Sequence, residues 1–493
     1  MKRNTMTGAL LLLLTVLQTA CGTAAEDSGE AVSGDTGSAA DTAAVITESA
    51  ELRDSVPALD FGGKSYDILT CGNWDAEWTE CYEFLAEEEN GEPVNDAVYT
   101  RNLAMEERFN VKIVEDYNKG SALGGTGKGA KMVKNSVMAS DCAYDIILMG
   151  TYDCGTLAAE GFLMELTSEV PYLDLNQPWW DQKARADLAL GNKVYYVTGD
   201  ITTIDNDCTF CLLFNKSIIA DYDLEDPYAH VLEGTWTIDK FIEMASQVSG
   251  DLNGDSVYDQ NDLYGYCIWH EAMRGMVSAC GGRFGAVNEN GELELTLNTE
   301  RTINMLTRFM DLAYDRTLSY SIYHNEDAIE SMFANDQVLF YSRYLAIIKK
   351  YRNMETDFGI LPYPKYDEAQ TEYYSSVSPY GCSFICVPTV VEDVEMTGAV
   401  IEAMACESMY TVTPAYYDIT LEGKMLRDTE STEMLDIILG NRVFDLGWIY
   451  EIGKYHTGVL ELFYNSNRDF ASMYEKNEPA ALKKIAEINE TFK

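Results

Sequence analysis

Apolar runs of strand length alternate with helical stretches along most of this chain, and that alternation constrains its fold more than any other feature. After the turn Gly62-Gly63, residues 65–70 read as a strand. Residues 95–109 set Val98, Leu103, Met105 and Phe109 among charges, the spacing of an amphipathic helix. A strand at 111–115, a helix at 131–139 and a near-continuous apolar strand at 144–149 follow. Residues 120–129, rich in Gly, read as a loop. A second series has strands at 193–198, 210–214, 263–269, 337–341, 357–362 and 383–388. Its helix at 235–248 has Thr235 or Thr237 as N-cap. From about 392 onward the chain is mostly helical. Strands interleaved with helices indicate an α/β fold whose sheets have parallel members. No solenoid or propeller period is present.

The first residues are not part of that pattern. Met1-Lys2-Arg3 precedes an apolar run at 9–17. This run is well short of the roughly 20 residues that span a bilayer. Basic start, short apolar middle and small residues before a cut describe a secretory signal over 1–20. Thr19-Ala20-Cys21 resembles the lipobox of bacterial lipoproteins, with Gln18 where Leu is usual. That resemblance implies that Cys21 is lipidated and becomes the N-terminus; ordinary cleavage after Ala20 is the alternative. Residues 21–56 are mostly small and acidic, cannot build a core, and are expected to be a flexible linker. Such a tether has an end-to-end distance of about 30 Å.

A chain of 493 residues can bury a large core in two lobes. It carries 35 basic and 81 acidic residues, a formal charge of -46. That excess argues against nucleic-acid partners and against a polybasic membrane patch. A hydrophobic content of 46% excludes global disorder. With Cys21 taken by lipid, an odd number of the 12 cysteines remains, scattered through strand-like text. Disulfides and buried free thiols both stay open.

The sharpest motif is the run Asp251-Leu-Asn253-Gly-Asp255-Ser-Val257-Tyr-Asp259-Gln-Asn-Asp262. Calcium takes six to eight oxygens, and a loop that supplies them at positions 1, 3, 5, 7, 9 and 12 wraps one centre. Here those are Asp251, Asn253, Asp255, the carbonyl of Val257, Asp259 and Asp262. Ser256 replaces the usual Gly, and the strand-like text that follows rules out a helix–loop–helix hand. A structural Ca2+ is expected; the plain alternative is an acidic, solvated turn. Signals for an enzyme are weak. The four His have no metal spacing, no Gly-x-Ser-x-Gly occurs, and Cys208-Thr-Phe-Cys211 would point its thiols to opposite faces of a strand. Among 81 carboxylates no glycosidase pair stands out.

Aromatic residues at strand ends point to binding instead. In open α/β sheets, ligands lie beyond the carboxyl ends of strands. Trp74, Tyr152 and Trp269 occupy such positions. Trp179-Trp180 is expected to have one ring buried and one open, and Arg343 follows a strand. Aromatic faces beside Asp, Asn and Arg suit sugar rings; core packing is the alternative for each.

Taken in order, several segments resemble an extracellular solute-binding lipoprotein of ABC importers, of the oligosaccharide-binding type. They are residues 95–111, Pro178-Trp-Trp-Asp181 with Val194-Tyr-Tyr-Val-Thr-Gly-Asp200, Leu213-Phe-Asn-Lys216 with Thr235-Trp236, the Asp-rich loop before Tyr264-Gly265, and Asp357-Phe-Gly-Ile-Leu-Pro-Tyr-Pro-Lys365. The resemblance implies a two-lobed, type II periplasmic-binding-protein-like fold that closes on its ligand, with extra C-terminal helices. Lobe 1 would take 57–206 plus 355–400, and lobe 2 would take 207–354 plus 401–493. It implies no catalysis, a sugar ligand, permease subunits as partners and a lipid-anchored monomer outside the cell membrane. Expected ligand contacts are Trp74, Tyr152, Trp179, Trp269 and Arg343, with Asp205 and Asp207 near the first crossing. The rival readings are a secreted glycan hydrolase with paired carboxylates and a surface sensor or adhesion lipoprotein.

Overall fold

Five strands form a first sheet in the order Val111–Lys119, Lys64–Gly72, Ile146–Gly150, Ser383–Cys386, Tyr196–Val197. The first three are parallel, with Ile68 opposite Ile146 and Tyr66 opposite Ile113. Every residue of Ile146–Gly150 is buried, as a strand covered on both faces requires. These elements come from a computed structural model that describes residues 52–72, 83–84, 86–120, 126–321, 326–421 and 429–493. Cys21, Trp74, the signal segment and residues 21–51 of the linker lie outside the described residues; the linker's last residues are described, with Asp54 paired to Arg108 at 2.6 Å and Val56 buried. Helix Pro93–Phe109 carries the chain between the first two strands. Proline in its first turn suits the helical φ, and Asn110 ends it in the left-handed conformation at φ 50°.

The second sheet has the order Ser319–Tyr320, Leu263–Cys267, Val338–Tyr344, Phe210–Asn215, Phe358–Leu361, with Ser249–Gly250 added beside Leu263–Cys267. Val338–Tyr344 and Phe210–Asn215 are buried throughout. Helix Ile238–Ala245 covers this sheet; of its two candidate caps, Thr237 acts, its Oγ1 accepting the Lys240 N–H at 3.3 Å. The expected strand at 193–198 narrows to Tyr196–Val197, because Lys193 turns back to bridge Leu190.

The chain passes between the sheets at 198–209 and again at 362–382. These passages touch, with Thr209 bridged to Val377. The hydrogen bonding differs from the lobe boundaries read in the sequence. Strand Phe358–Leu361, placed with lobe 1, pairs with Phe210–Asn215 in the second sheet. Helix Val412–Leu421, placed with lobe 2, packs on Pro93–Phe109 beside the first sheet, while Thr429–Gly440 packs on Phe358–Leu361. An apolar face shows that an element needs cover, not which sheet supplies it. The ten described cysteines are free thiols, and all but Cys142 are buried. No helix among the described residues is long and apolar enough to cross a membrane.

Candidate functional site

A cavity of about 540 Å3 opens beside the first passage. Its walls come from both sides of the molecule. Glu83 and Asn90 precede helix Pro93–Phe109 and Asn95 lies in its first turn, Thr203 and Asp207 belong to the passage, and Lys349 and Arg352 follow strand Val338–Tyr344. Tyr416 and Ile419 of helix Val412–Leu421 complete it.

Asp207 is its centre of charge. One carboxylate oxygen receives Lys349 Nζ at 2.5 Å, and the other receives the Tyr416 hydroxyl at 3.0 Å. The Lys349 ammonium also lies 6.0 Å from the Tyr416 ring centroid, at the edge of cation–π range. Glu83 fastens the wall to the passage: its carboxylate accepts the Thr203 N–H at 2.8 Å and the Thr203 hydroxyl at 3.0 Å. Burial pushes Glu83 up to about 7 despite those bonds. Behind it, the buried Arg101 donates to the carbonyls of Glu83 at 2.6 Å and Ile201 at 3.2 Å, and to the Ser408 hydroxyl at 3.2 Å. One guanidinium thus joins the helix, the passage and helix Val394–Tyr410.

Two of the residues singled out in the sequence, Trp269 and Arg343, meet in a second cluster, and a third, Tyr152, lies within reach of its charges. Tyr152 lies in the first turn of helix Thr151–Ala159, Trp269 lies just beyond Leu263–Cys267, and Arg343 lies inside the longer strand Val338–Tyr344 and not after it. The Trp269 and Tyr344 ring centroids are 4.2 Å apart, and the Arg343 guanidinium carbon is 4.6 Å from the Trp269 ring centroid. Glu271 organises the polar edge, accepting from the hydroxyls of Tyr344 at 2.6 Å and Ser378 at 3.1 Å and pairing with Arg274 at 2.5 Å. The charges of Glu271 and Arg274 reach Tyr152, whose hydroxyl burial drives well above the usual phenol range. Tyr152, Trp269 and Arg343 are exposed by only 4%, 2% and 1%, so a solute reaches them only if the surrounding elements part.

The other expectations fare differently. Trp179 and Trp180 are not split between core and cleft. Both rings are buried, and both indole N–H groups donate to Glu402, at 3.1 and 2.9 Å. The ring faces that could have met a sugar are used by the core. Asp205 is fully buried and pairs with Arg442 at 2.7 Å; burial raises it to about 6. Asp207 alone of the expected polar pair lines the cavity. Glu83, Lys349 and Tyr416 were not singled out. Lys349-Lys350 did carry a signal: a basic pair after a strand is uncommon in a chain this acidic.

In the Asp-rich loop the backbone has the expected turn, with Ser256 at φ 65° where glycine is usual. The side chains cap the loop's own amides. Asp251 accepts from Gly254 and Ser256 at 2.7 and 2.8 Å, Asn253 from Asp255 at 2.9 Å, Asp255 from Val257 at 2.8 Å, and Asp259 from Asn261 at 2.8 Å. Asp262 is buried and accepts from Leu252 and Asp259, each at 2.9 Å. Among the described residues, no three His, Cys, Asp or Glu side chains are gathered closely enough to hold a metal ion.

Two bodies of mixed sheet with a cavity where the chain passes between them define a binding-protein architecture. The sequence profile described as bacterial extracellular solute-binding protein matches residues 124–410. The chain belongs to that family, and its fold is the two-lobed one of periplasmic binding proteins. None of the curated protein sequences compared with it matches. Among solved structures it is similar to an ABC substrate-binding protein of Listeria monocytogenes in complex with cycloalternan (13% identity, 87% of this chain and 99% of that one, TM-score 0.52). It is also similar to UspC of M. tuberculosis (13%, 85% and 100%, 0.55) and to a cyclo/maltodextrin-binding protein complexed with maltotetraose (14%, 87% and 97%, 0.53).

Proposed function

We propose that this solute-binding protein captures a carbohydrate between its lobes and delivers it unaltered to the permease of an ABC importer. The cavity beside the first passage carries this reading. Its volume of about 540 Å3 lies within the usual range for small-molecule sites. Asp207 and Lys349 set an acceptor beside a donor, the pairing that neighbouring sugar hydroxyls need. Tyr416, Val94 and Ile419 offer apolar surface to ring C–H groups. A solute held from both lobes favours the closed form and shifts the population toward it. The sugars bound by two of the similar structures, cycloalternan and maltotetraose, support the ligand class. Lipid on Cys21, supported by the lipobox-like run, would moor a monomer outside the cell membrane. Calcium in the Asp-rich loop is also part of the proposal, supported by the alternation of oxygen-bearing residues and by the turn at Ser256. The ion would compete with the amide hydrogen bonds that the loop's side chains now accept.

A thermal-shift screen of mono- and oligosaccharides tests the site. At one hundred times Kd a ligand stabilises its protein by about 2.7 kcal/mol. At least one sugar should raise the melting temperature, and Asp207→Asn should lose most of that rise. A screen with no stabilising sugar, or equal stabilisation of the variant, would overturn the reading.

A further inference from the structure

Beyond the residues matched by the family, the chain returns to the junction between the lobes. Strand Arg442–Val443 runs parallel to Ser375–Ser376. The Val377 N–H donates to the Val443 carbonyl at 3.1 Å, and the Ser378 N–H donates to the Cys208 carbonyl at 2.9 Å. A third segment therefore lies beside the two passages. From there residues 442–450 grip both lobes. Toward lobe 1, Arg442 bridges Asp181 and Asp205, and the Phe444 N–H donates to Asp187 at 3.1 Å. The Phe444 ring centroid lies 5.9 Å from that of Phe384, and the Tyr450 and Tyr196 hydroxyls meet at 3.2 Å. Toward lobe 2, the buried Asp445 carboxylate accepts the N–H groups of Phe284 at 2.6 Å and Gly285 at 3.1 Å. It also caps the strap's own short helix, Leu446–Ile449, through the Trp448 N–H at 3.1 Å. The Trp448 ring then packs 5.9 Å from Phe284, with the Arg274 guanidinium 5.1 Å from its centroid. Contact is so close that a Cβ on Gly447 would stand 2.2 Å from the Gly285 nitrogen.

We propose that residues 442–450 form a strap that limits how far the lobes part, with Arg442 and Asp445 as its positioning residues. Arg442 ties the strap to the first passage and to lobe 1. Asp445 ties it to backbone amides of lobe 2, and Gly447 permits the approach. Two anchors facing opposite lobes across a few residues hold the solute-free protein near its closed arrangement and set the span through which a solute enters. This rests on the two-lobed fold and not on the ligand class, so it can fail while the carbohydrate reading stands.

Small-angle X-ray scattering of the solute-free full chain tests it, alongside thermal melts. Asp445→Asn and Gly447→Ala should each enlarge the radius of gyration while keeping a single cooperative melt. Arg442→Lys, which keeps the charge but not the forked reach to two carboxylates, should fall between these variants and the wild type. Cooperatively folded variants with the wild-type radius would overturn the strap. Amide exchange in the wild type decides the case if the variants do not fold. The Phe284 and Gly285 amides should exchange as slowly as those of core strand Phe210–Asn215, whereas loop-like exchange would overturn it.

Discussion

Glu402 takes an indole N–H on each oxygen, yet burial still raises its carboxyl to about 7. The charged form loses more by leaving water than the two indoles and the Asp174 amide return. In the unfolded chain Glu402 titrates near the ordinary value of 4.5. Between there and about 7 the folded state therefore holds a proton that the unfolded state lacks. Its stabilising share is present below pH 4.5 and is lost as pH rises through 7. Glu402→Gln should remove that share of the pH dependence, on the order of 1–3 kcal/mol. Denaturant melts at pH 5 and pH 7.5 measure it; an unchanged wild-type-to-variant difference at the two values would contradict it. The same residue shows what one sequence hides. Trp179-Trp180 stands out as an adjacent aromatic pair, but the carboxylate that fixes both rings lies in a distant helix, Val394–Tyr410. Tyr416 carries no signal of its own, and the basic pair at Lys349 shows itself without its partner: both residues converge on Asp207 only after the chain has folded.

At the scale of elements, strands were the most legible part, because continuous apolar runs such as Phe210–Asn215 and Val338–Tyr344 have few other ways to satisfy their backbone. Their partners were less legible. Phe358–Leu361 reads as a strand in either lobe, and only register with Phe210–Asn215 settles its place. The Asp-rich loop lies between these cases. Its residue spacing was plain and its turn is present, while its side chains satisfy the loop's own amides. If Ca2+ binds, excess Ca2+ should raise the melting temperature above that in a chelator, and Asp255→Ala should abolish the difference. Equal melting temperatures for the wild type in Ca2+ and chelator would remove calcium from the account.

For the whole molecule, the charge of -46 argues against partners that need a basic surface, but it does not choose a ligand. At the junction three chain segments lie side by side and residues from both lobes face one cavity, the proposed place of that choice. Two lobes were legible from length and from the double series of strands. The strap was not, since helical text after residue 410 carries no sign of where it runs. Such a molecule retains its solute without chemistry in the proposed reading. The most direct test is prolonged incubation of the protein with the sugar that stabilises it most, with the bound and recovered sugar analysed by mass spectrometry. One sugar per chain should be recovered intact; shortened products with new reducing ends would instead mark the protein as a hydrolase.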